Sequence, residues 1–359
     1  MTPRLWMGFS LALLFAIAFD VSARTKPARH KSHTESERSE EIESATRLQI
    51  FLDRANFSPG AITGRYNEFT LKALSLYRES RGEPSPSPSK KPNAVPDMNG
   101  IDLKSVDPVF MDYTVTDADL QNIGPVPESV AAQAKLKFLP YRDAAEAIAE
   151  KFHCDAAFFK KLNHAKTFKP GDRVKVPNVE PFDLAAVKDI EPGSEMNTDA
   201  ANDLPDDAAT PKEDQNQPGA TASPITTSIH IDTKTNMLSV FDADKLVAAY
   251  PVSIGSAQTA SPIGDWKVKG IAKLPRFRYD KAMLKYGKRS GDFHMLPPGP
   301  NSPVGVMWIA LNKKGIGLHG TNEPDTIGHA ASHGCVRLAN WDVVRLAQKI
   351  KAGVPVGIQ

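Results

Sequence analysis

The chain has 359 residues with 44 basic against 42 acidic side chains, a net charge of +2 that removes any polybasic argument for a nucleic-acid partner. Its length points to more than one domain. The 29 prolines cluster where boundaries would fall, and two cysteines are too few for a disulfide-built scaffold.

Residues 1–23 carry Arg4, run apolar from Leu5 to Phe19 and finish on Val21-Ser22-Ala23, the layout of a secretory signal peptide. The apolar run is shorter than the roughly 20 residues a bilayer span needs, which disfavours an uncleaved anchor. No cysteine follows it to support lipoprotein processing. The expectation is an exported protein of the periplasm or cell wall, without stable membrane insertion after signal cleavage, in a compartment where thiols tend to be oxidised. Residues 24–43 are charged and lack an apolar period, so a disordered lead is expected there.

Order is expected over 44–82. Leu48, Phe51 and Leu52 fall at helical spacing, Ser58-Pro59-Gly60 breaks the chain, and Leu71, Leu74 and Tyr77 resume a helical stripe. Leu48-Gln49, the turn Pro59-Gly60-Ala61-Ile62-Thr63-Gly64 and the run Thr70 to Leu74 resemble the short helical peptidoglycan-binding domain. A Pro/Ser-rich linker is expected over 83–100, and 101–137 carries no functional reading. Over 138–179 the spacing predicts a helix from Ala144 to Phe152, a second from Asp155 to Leu162 with an aspartate cap, and a strand at Arg173 to Pro177. The phrases AEKFH, KKLN and KPGDRVKVPNV resemble a LysM module, with its opening strand degraded to Leu139-Pro140-Tyr141-Arg142-Asp143. Cys154 reads as a small packed residue. His153 and His164 lack recognised metal-ligand spacing. Residues 185–225 are acidic and poor in large apolar side chains, the clearest linker in the chain.

From residue 226 the texture changes. Ser228 to Ile231, Met237 to Phe241, Leu246 to Ile254, Trp266 to Val268 and Val306 to Leu311 read as short strands, and Asn340 to Lys351 as a helix capped by Asn340. Just before that helix stands Cys335. A disulfide to Cys154 would tether two separate modules, so a free thiol is the expectation. A thiol is only a few per cent thiolate at neutral pH and needs a base beside it to act as a nucleophile. His319 stands sixteen positions upstream with a loop between, and Gly334 lets backbone amides approach a substrate oxygen. These are the parts of an acyl-transfer site.

The pattern His319-Gly320, a loop, then Ser332-His333-Gly334-Cys335-Val336-Arg337 resembles the signature of the L,D-transpeptidases with a YkuD-type catalytic domain. The likeness extends over 226–359 through Pro262-Ile263-Gly264-Asp265-Trp266, the loop Pro297 to Gly305 and Gly353 to Val356. It implies Cys335 as nucleophile, His319 as base and proton donor, the Gly320 carbonyl as the group orienting the histidine, and the amides around Gly334 as an oxyanion hole. Ser332, His333 and Arg337 would be substrate-binding; for His333 a structural role, and for Arg337 a salt bridge to an aspartate, stand as alternatives. His294 would wall the substrate groove, and His329 has no motif support. No cofactor or metal is implied, since zinc on His319, His333 and Cys335 would quench the nucleophile.

The expected fold is multidomain: a β-rich L,D-transpeptidase catalytic domain with one covering helix, preceded by a small α-helical domain and a small α+β LysM-like module, with 226–359 able to fold alone. The implied function is a cysteine-dependent acyltransferase that forms 3→3 cross-links through a thioester on tetrapeptide stems. Peptidoglycan stems and glycan strands would be its partners. A lipoprotein lysine, a free D-amino acid or water stand as other acceptors, water giving L,D-carboxypeptidation. The competing reading is a wall-binding structural protein with a decayed catalytic domain, against which stand the intact His319 and Cys335.

Overall fold

The computed structural model describes residues 35–84, 94–183, 224–255, 260–286, 289–313, 315–328 and 334–359. The expected signal peptide and the centres of both expected linkers lie outside these residues. Among the described residues, no helix is long and apolar enough to cross a membrane.

Helix α1, Glu35–Arg54, starts inside the segment expected to be a disordered lead, which corrects that boundary. Its first turns face solvent, so no apolar period announces them. Glu35 and Glu37 sit at the favourable end of the helix dipole, and Glu43 meets Arg47 at 3.0 Å one turn on. Burial starts at Ala45, and Leu48 and Leu52 pack against Phe69, Ala73 and Leu74 of α2, Glu68–Ser80. The Leu48-Gln49 pair has a physical reason. Gln49 is fully buried; its carbonyl oxygen accepts from the amides of Thr63 and Gly64 at 3.2 and 3.1 Å, and its Nε2 donates to the Arg65 carbonyl at 3.1 Å. One side chain thus satisfies the turn between the helices.

Strand β1, Phe110–Thr114, is followed by the one-turn helices α3, Asp117–Leu120, and α4, Val130–Gln133, then by α5, Ala144–Lys151, and α6, Ala156–Leu162. Strand β2, Arg173–Pro177, returns antiparallel to β1, with Phe110 opposite Pro177. Asp143 and Asp155 cap α5 and α6, accepting from Glu146 and Phe158 amides at 2.8 and 2.6 Å. The strand that opens this unit is therefore 110–114, in the stretch left without a reading, and not 139–143, which corrects the boundary at 138. Phe110 to Thr114 is half-buried to exposed throughout, so no clean alternation marks it. Leu139 instead pins the unit to the C-terminal half, donating to the Pro298 carbonyl at 2.8 Å and accepting from Asn301 at 3.2 Å.

From residue 227 come β3, Thr227–Asp232, β4, Met237–Asp242, β5, Lys245–Pro251, and β6, Gly264–Lys273. A hairpin of β7, Phe277–Tyr279, and β8, His294–Leu296, follows, with α7, Lys281–Tyr286, between its strands. The chain closes with β9, Met307–Leu311, β10, Gly317–His319, β11, Val336–Arg337, α8, Asn340–Ala347, and β12, Pro355–Ile358. Eight strands make one sheet in the order β11-β10-β9-β6-β12-β3-β4-β5. Its core joins Ile229, Val240, Ile309, Leu318 and Val336 to Val343, Val344 and Leu346 of α8, the covering helix. Asn340 does not cap α8; it is the first helical residue, after the extended Ala339, and its side chain is turned to other partners.

The two halves are not beads on linkers. Asn56 to Ser58 lies along the free edge of β5, where Ser58 donates to the Ala249 carbonyl at 2.8 Å and Ala249 to that of Asn56 at 2.9 Å. An edge strand that would otherwise be open is covered. Phe57, Phe69 and Leu74 share one apolar cluster with Met237, Leu246 and Ala249. Beside it, Arg345 of α8 grips the buried Asp53 of α1 with two bonds of 2.9 Å, His153 reaches the same carboxylate at 3.1 Å, and the His153 ring stacks on Trp341 with centroids 5.4 Å apart. Arg345 and His153 hold Asp53 well below the usual carboxylate range despite its burial. The expected 226–359 domain thus shares part of its packing with the N-terminal half.

A 226–359 fragment is thus expected to expose Met237, Leu246 and Ala249 and to melt well below the full chain or to aggregate; equal melting temperatures would contradict the shared core. A second expectation concerns Asp342, which Ser58 bonds at 2.9 Å and which burial lifts from 3.8 to about 7. An acid raised in the folded chain contributes stability that is complete below its unfolded pKa and is lost as pH rises through the folded one. The stability difference between wild type and Asp342→Asn should therefore fall by about 3 to 4 kcal/mol between pH 4 and pH 7. Denaturant melts of both proteins across that range measure it, and a flat difference would refute it.

Candidate active site

The two sequence-predicted site residues, His319 and Cys335, fall on one face at the β11 edge of the sheet because two register pairs, Leu318 with Val336 and His319 with Arg337, run parallel. Side chains alternate between faces along a strand. Leu318 and Val336 therefore both enter the core, while His319, Arg337 and, one step back, Cys335 share the opposite face. Trp308 marks that face. It lies opposite His319 on β9, its ring stacks on the imidazole with centroids 5.4 Å apart, and the cluster it forms with Val304 and Ala310 takes in Cys335 and Phe277. Phe277 comes from β7, so the β7–β8 hairpin covers the site.

Glycine at 317 is required by this stack: a Cβ there would come within 2.7 Å of the Trp308 ring and 2.8 Å of the Ile309 carbonyl. Gly334 adopts φ +106°, a conformation that L side chains rarely reach, immediately before the half-buried Cys335. The Cys335 thiol donates to the Gly315 carbonyl at 3.4 Å. Neither Cys335 nor Cys154 is in a disulfide; Cys154 is buried in the core of the N-terminal half, as its packed reading expected.

His319 is 5% exposed, and its Nδ1 lies 2.6 Å from the Gly320 carbonyl. A carbonyl only accepts, so Nδ1 carries the proton and Nε2 keeps its lone pair. Burial pushes the imidazole down to about 4, the Gly320 bond pulling it up and the Arg337 charge pushing it further down. Burial likewise pushes the Cys335 thiol up to about 11. At neutral pH both groups rest uncharged, a proton acceptor and a thiol on the same face of the sheet, which is the starting state for general-base attack on a carbonyl.

Arg337 exchanges backbone hydrogen bonds with Ser253, at 2.9 and 3.0 Å, which ties β11 to the chain beyond β5. The loop between the reacting residues is anchored at Gly328, whose amide donates to Ser253 Oγ at 2.9 Å and whose Cα meets the Phe69 ring of α2. Ser332 and His333, with His329, lie outside the described residues. His294 sits on β8 opposite Tyr279, in the hairpin that covers the site. Sequence reasoning missed Trp308, Phe277 and Asn340. The parity of Trp308 within Met307-Trp308-Ile309-Ala310-Leu311 was a readable signal, since it differs from that of the core residue Ile309; the other two depend on long-range packing.

Residues 226–358 match the family model described as the L,D-transpeptidase catalytic domain, YkuD. Among curated relatives, the L,D-transpeptidase-family protein YkuD of Bacillus licheniformis is 31% identical over 121 residues, 34% of this chain and 58% of that protein. YqjB of Bacillus subtilis is 31% identical over 131 residues, 35% of this chain and 67% of that protein. The chain thus spans little more than half of the first of these relatives. A solved L,D-transpeptidase from Mycobacterium smegmatis aligns at 18% identity over 37% of this chain and 58% of that one, with a TM-score of 0.30, too low to carry an argument. By the family model and the curated relatives together, this chain belongs to the YkuD-type L,D-transpeptidase family.

Proposed function

We propose that this protein is an exported peptidoglycan L,D-transpeptidase that forms 3→3 cross-links through a cysteine thioester. The observation that carries the reading is the parallel pairing that sets Cys335 and a tautomer-fixed His319 on one face beneath a covering hairpin. In the proposed cycle, Nε2 of His319 takes the thiol proton as Sγ attacks the carbonyl of the third residue of a tetrapeptide stem. The amides around Gly334 and Cys335 bind the developing oxyanion. His319 then returns the proton to the departing D-alanine amine, leaving the thioester. An amine from a second stem attacks it, losing its proton to His319, and the C–S bond breaks to release Cys335, whose thiolate takes that proton back; a lipoprotein lysine, a D-amino acid or water is the alternative acceptor. The Gly320 carbonyl orients the imidazole, and Ser332, His333 and Arg337 are assigned to substrate binding. The peptidoglycan-binding-like hairpin and the LysM-like unit are proposed to bind the wall and raise the enzyme's effective concentration there, in the periplasm or cell wall.

Cys335→Ala is expected to abolish acylation by a carbapenem, read as loss of the mass increase on the intact protein, with its melting temperature near that of wild type. His319→Ala should slow acylation by about 100-fold or more. Wild-type acylation by either variant would end the assignment. The pH profile tests the uncharged resting pair. His319 is depressed to about 4, so the base stays unprotonated down to that pH. The acylation rate should hold from pH 8 to about pH 5 and fall about tenfold per unit only below about 4. Arg337→Gln removes a charge that lowers the imidazole pKa, so its acid limb should move upward. A wild-type limb near 6.5 would show an ordinary imidazole and refute the buried neutral base.

A further inference from the structure

Asn340 lies fully buried between the two halves of the protein and faces both the catalytic strand and the N-terminal unit. Its Oδ1 accepts from the Val306 amide at 3.2 Å. Its Nδ2 donates to the Glu150 carboxyl at 3.1 and 3.3 Å, and to the Pro300 carbonyl at 3.4 Å. The orientation of this amide is dictated by its surroundings: turned over, it would set a donor against the Val306 N–H and an acceptor against the carboxyl. Glu150 is held in turn by the Tyr141 hydroxyl, which donates to it at 2.8 Å. Both residues belong to the N-terminal half.

What Asn340 touches next is the histidine's own support. The space beside Cα of Gly320 is filled by Asn340 Oδ1, as is that beside Gly305, so a Cβ at either position would overlap it. The Gly320 amide donates to the Met307 carbonyl at 3.2 Å, and the His319 carbonyl accepts from Leu338 at 2.8 Å. With its nitrogen tied and Asn340 against its Cα, Gly320 is held in place where its carbonyl accepts from Nδ1 of His319 at 2.6 Å.

We infer that Asn340 is a positioning residue for His319, and that Glu150 and Tyr141 of the N-terminal half complete the catalytic site by holding Asn340. The chain of contacts runs Tyr141, Glu150, Asn340, Gly320, His319. It makes the LysM-like unit part of the machinery that fixes the imidazole tautomer. The inference rests on His319 being the base.

The test uses the full chain. Asn340→Ala and Glu150→Met, the latter an apolar replacement of similar length, should slow carbapenem acylation about 10- to 100-fold per folded molecule, as misplacement of a catalytic group does. The ¹⁵N shifts of His319, assigned against His319→Ala, should change from an Nδ1–H imidazole to a tautomer mixture in both variants. Tyr141→Phe should change them in the same direction by less. Glu150→Gln keeps an acceptor for Asn340 and should recover most of the rate and the wild-type tautomer. A role in stability alone would lower the melting temperature and leave the tautomer and the rate of the folded fraction unchanged; that result in Glu150→Met or Asn340→Ala overturns the inference. If Asn340→Ala fails to fold, Glu150→Met and Tyr141→Phe decide by the same two readouts. Failure of the base assignment is separate: there His319→Ala itself would acylate at the wild-type rate.

Discussion

Two rungs of parallel pairing between β10 and β11 set His319 and Cys335, the two residues proposed to react, on one face of the sheet. Three residues paired with two make a weak ladder, so the geometry survives because its neighbours over-determine it. Strand β9 holds β10 from the other side, with Gly317 opposite Ala310 and His319 opposite Trp308. Ser253 clamps Arg337 through both backbone groups, and Leu338 donates to His319. A slip of one residue would turn His319 into the core and Leu318 out of it. The buried Leu318 and Val336 forbid that slip, so the apolar core specifies the register and the register specifies the site.

The N-terminal half bears on the same edge-control problem from the far side of the sheet. Strand β5 closes the order opposite to β11, and Asn56 to Ser58 pairs with it, as a further strand would. The buried Asp53–Arg345–His153 group adds orientation to this contact: breaking one partner of such a group costs about 3 to 5 kcal/mol, whereas the intact group contributes little net stability. The halves thereby meet in one arrangement. A wall-binding role for the N-terminal units then carries a geometric consequence, since substrate held by them would be presented to the Cys335 face at a fixed angle rather than at the end of a free linker.

The catalytic half was legible because its signals are local. Strand alternation, the helix from Asn340 and the His319 to Cys335 spacing all live within a few residues of themselves, and the observed β3, β4 and β9 fall where the pattern put them, with β6 running on to Lys273 and α8 ending at Ala347, four residues short of the expected Lys351. The N-terminal half was harder to read for physical reasons. The solvent-facing turns of α1 have no apolar period, and no residue of β1 is deeply buried. At the site, the roles proposed for His319 and Cys335 come from residue chemistry and local spacing. Asn340 could not, since as a helix-opening asparagine it reads as a cap, and only the arrival of Glu150 from 190 positions away gives its amide a different task.

Burial of an uncharged thiol and an uncharged imidazole costs little, and in the proposed mechanism it defers the electrostatic expense to the moment of attack, when imidazolium and oxyanion would appear together. Around the buried imidazole, water contributes little to stabilising the cation, so fixed dipoles must do it. The Gly320 carbonyl, at 2.6 Å from Nδ1, is the nearest such dipole, and it opposes the Arg337 charge that disfavours the cation. An error in its direction would weaken the base where little else compensates. This is the physical basis of the inferred role of Asn340: its wedge against Gly320 would act on the base beyond its packing, and a contact made by the N-terminal half would reach the chemistry without any of its residues touching the substrate.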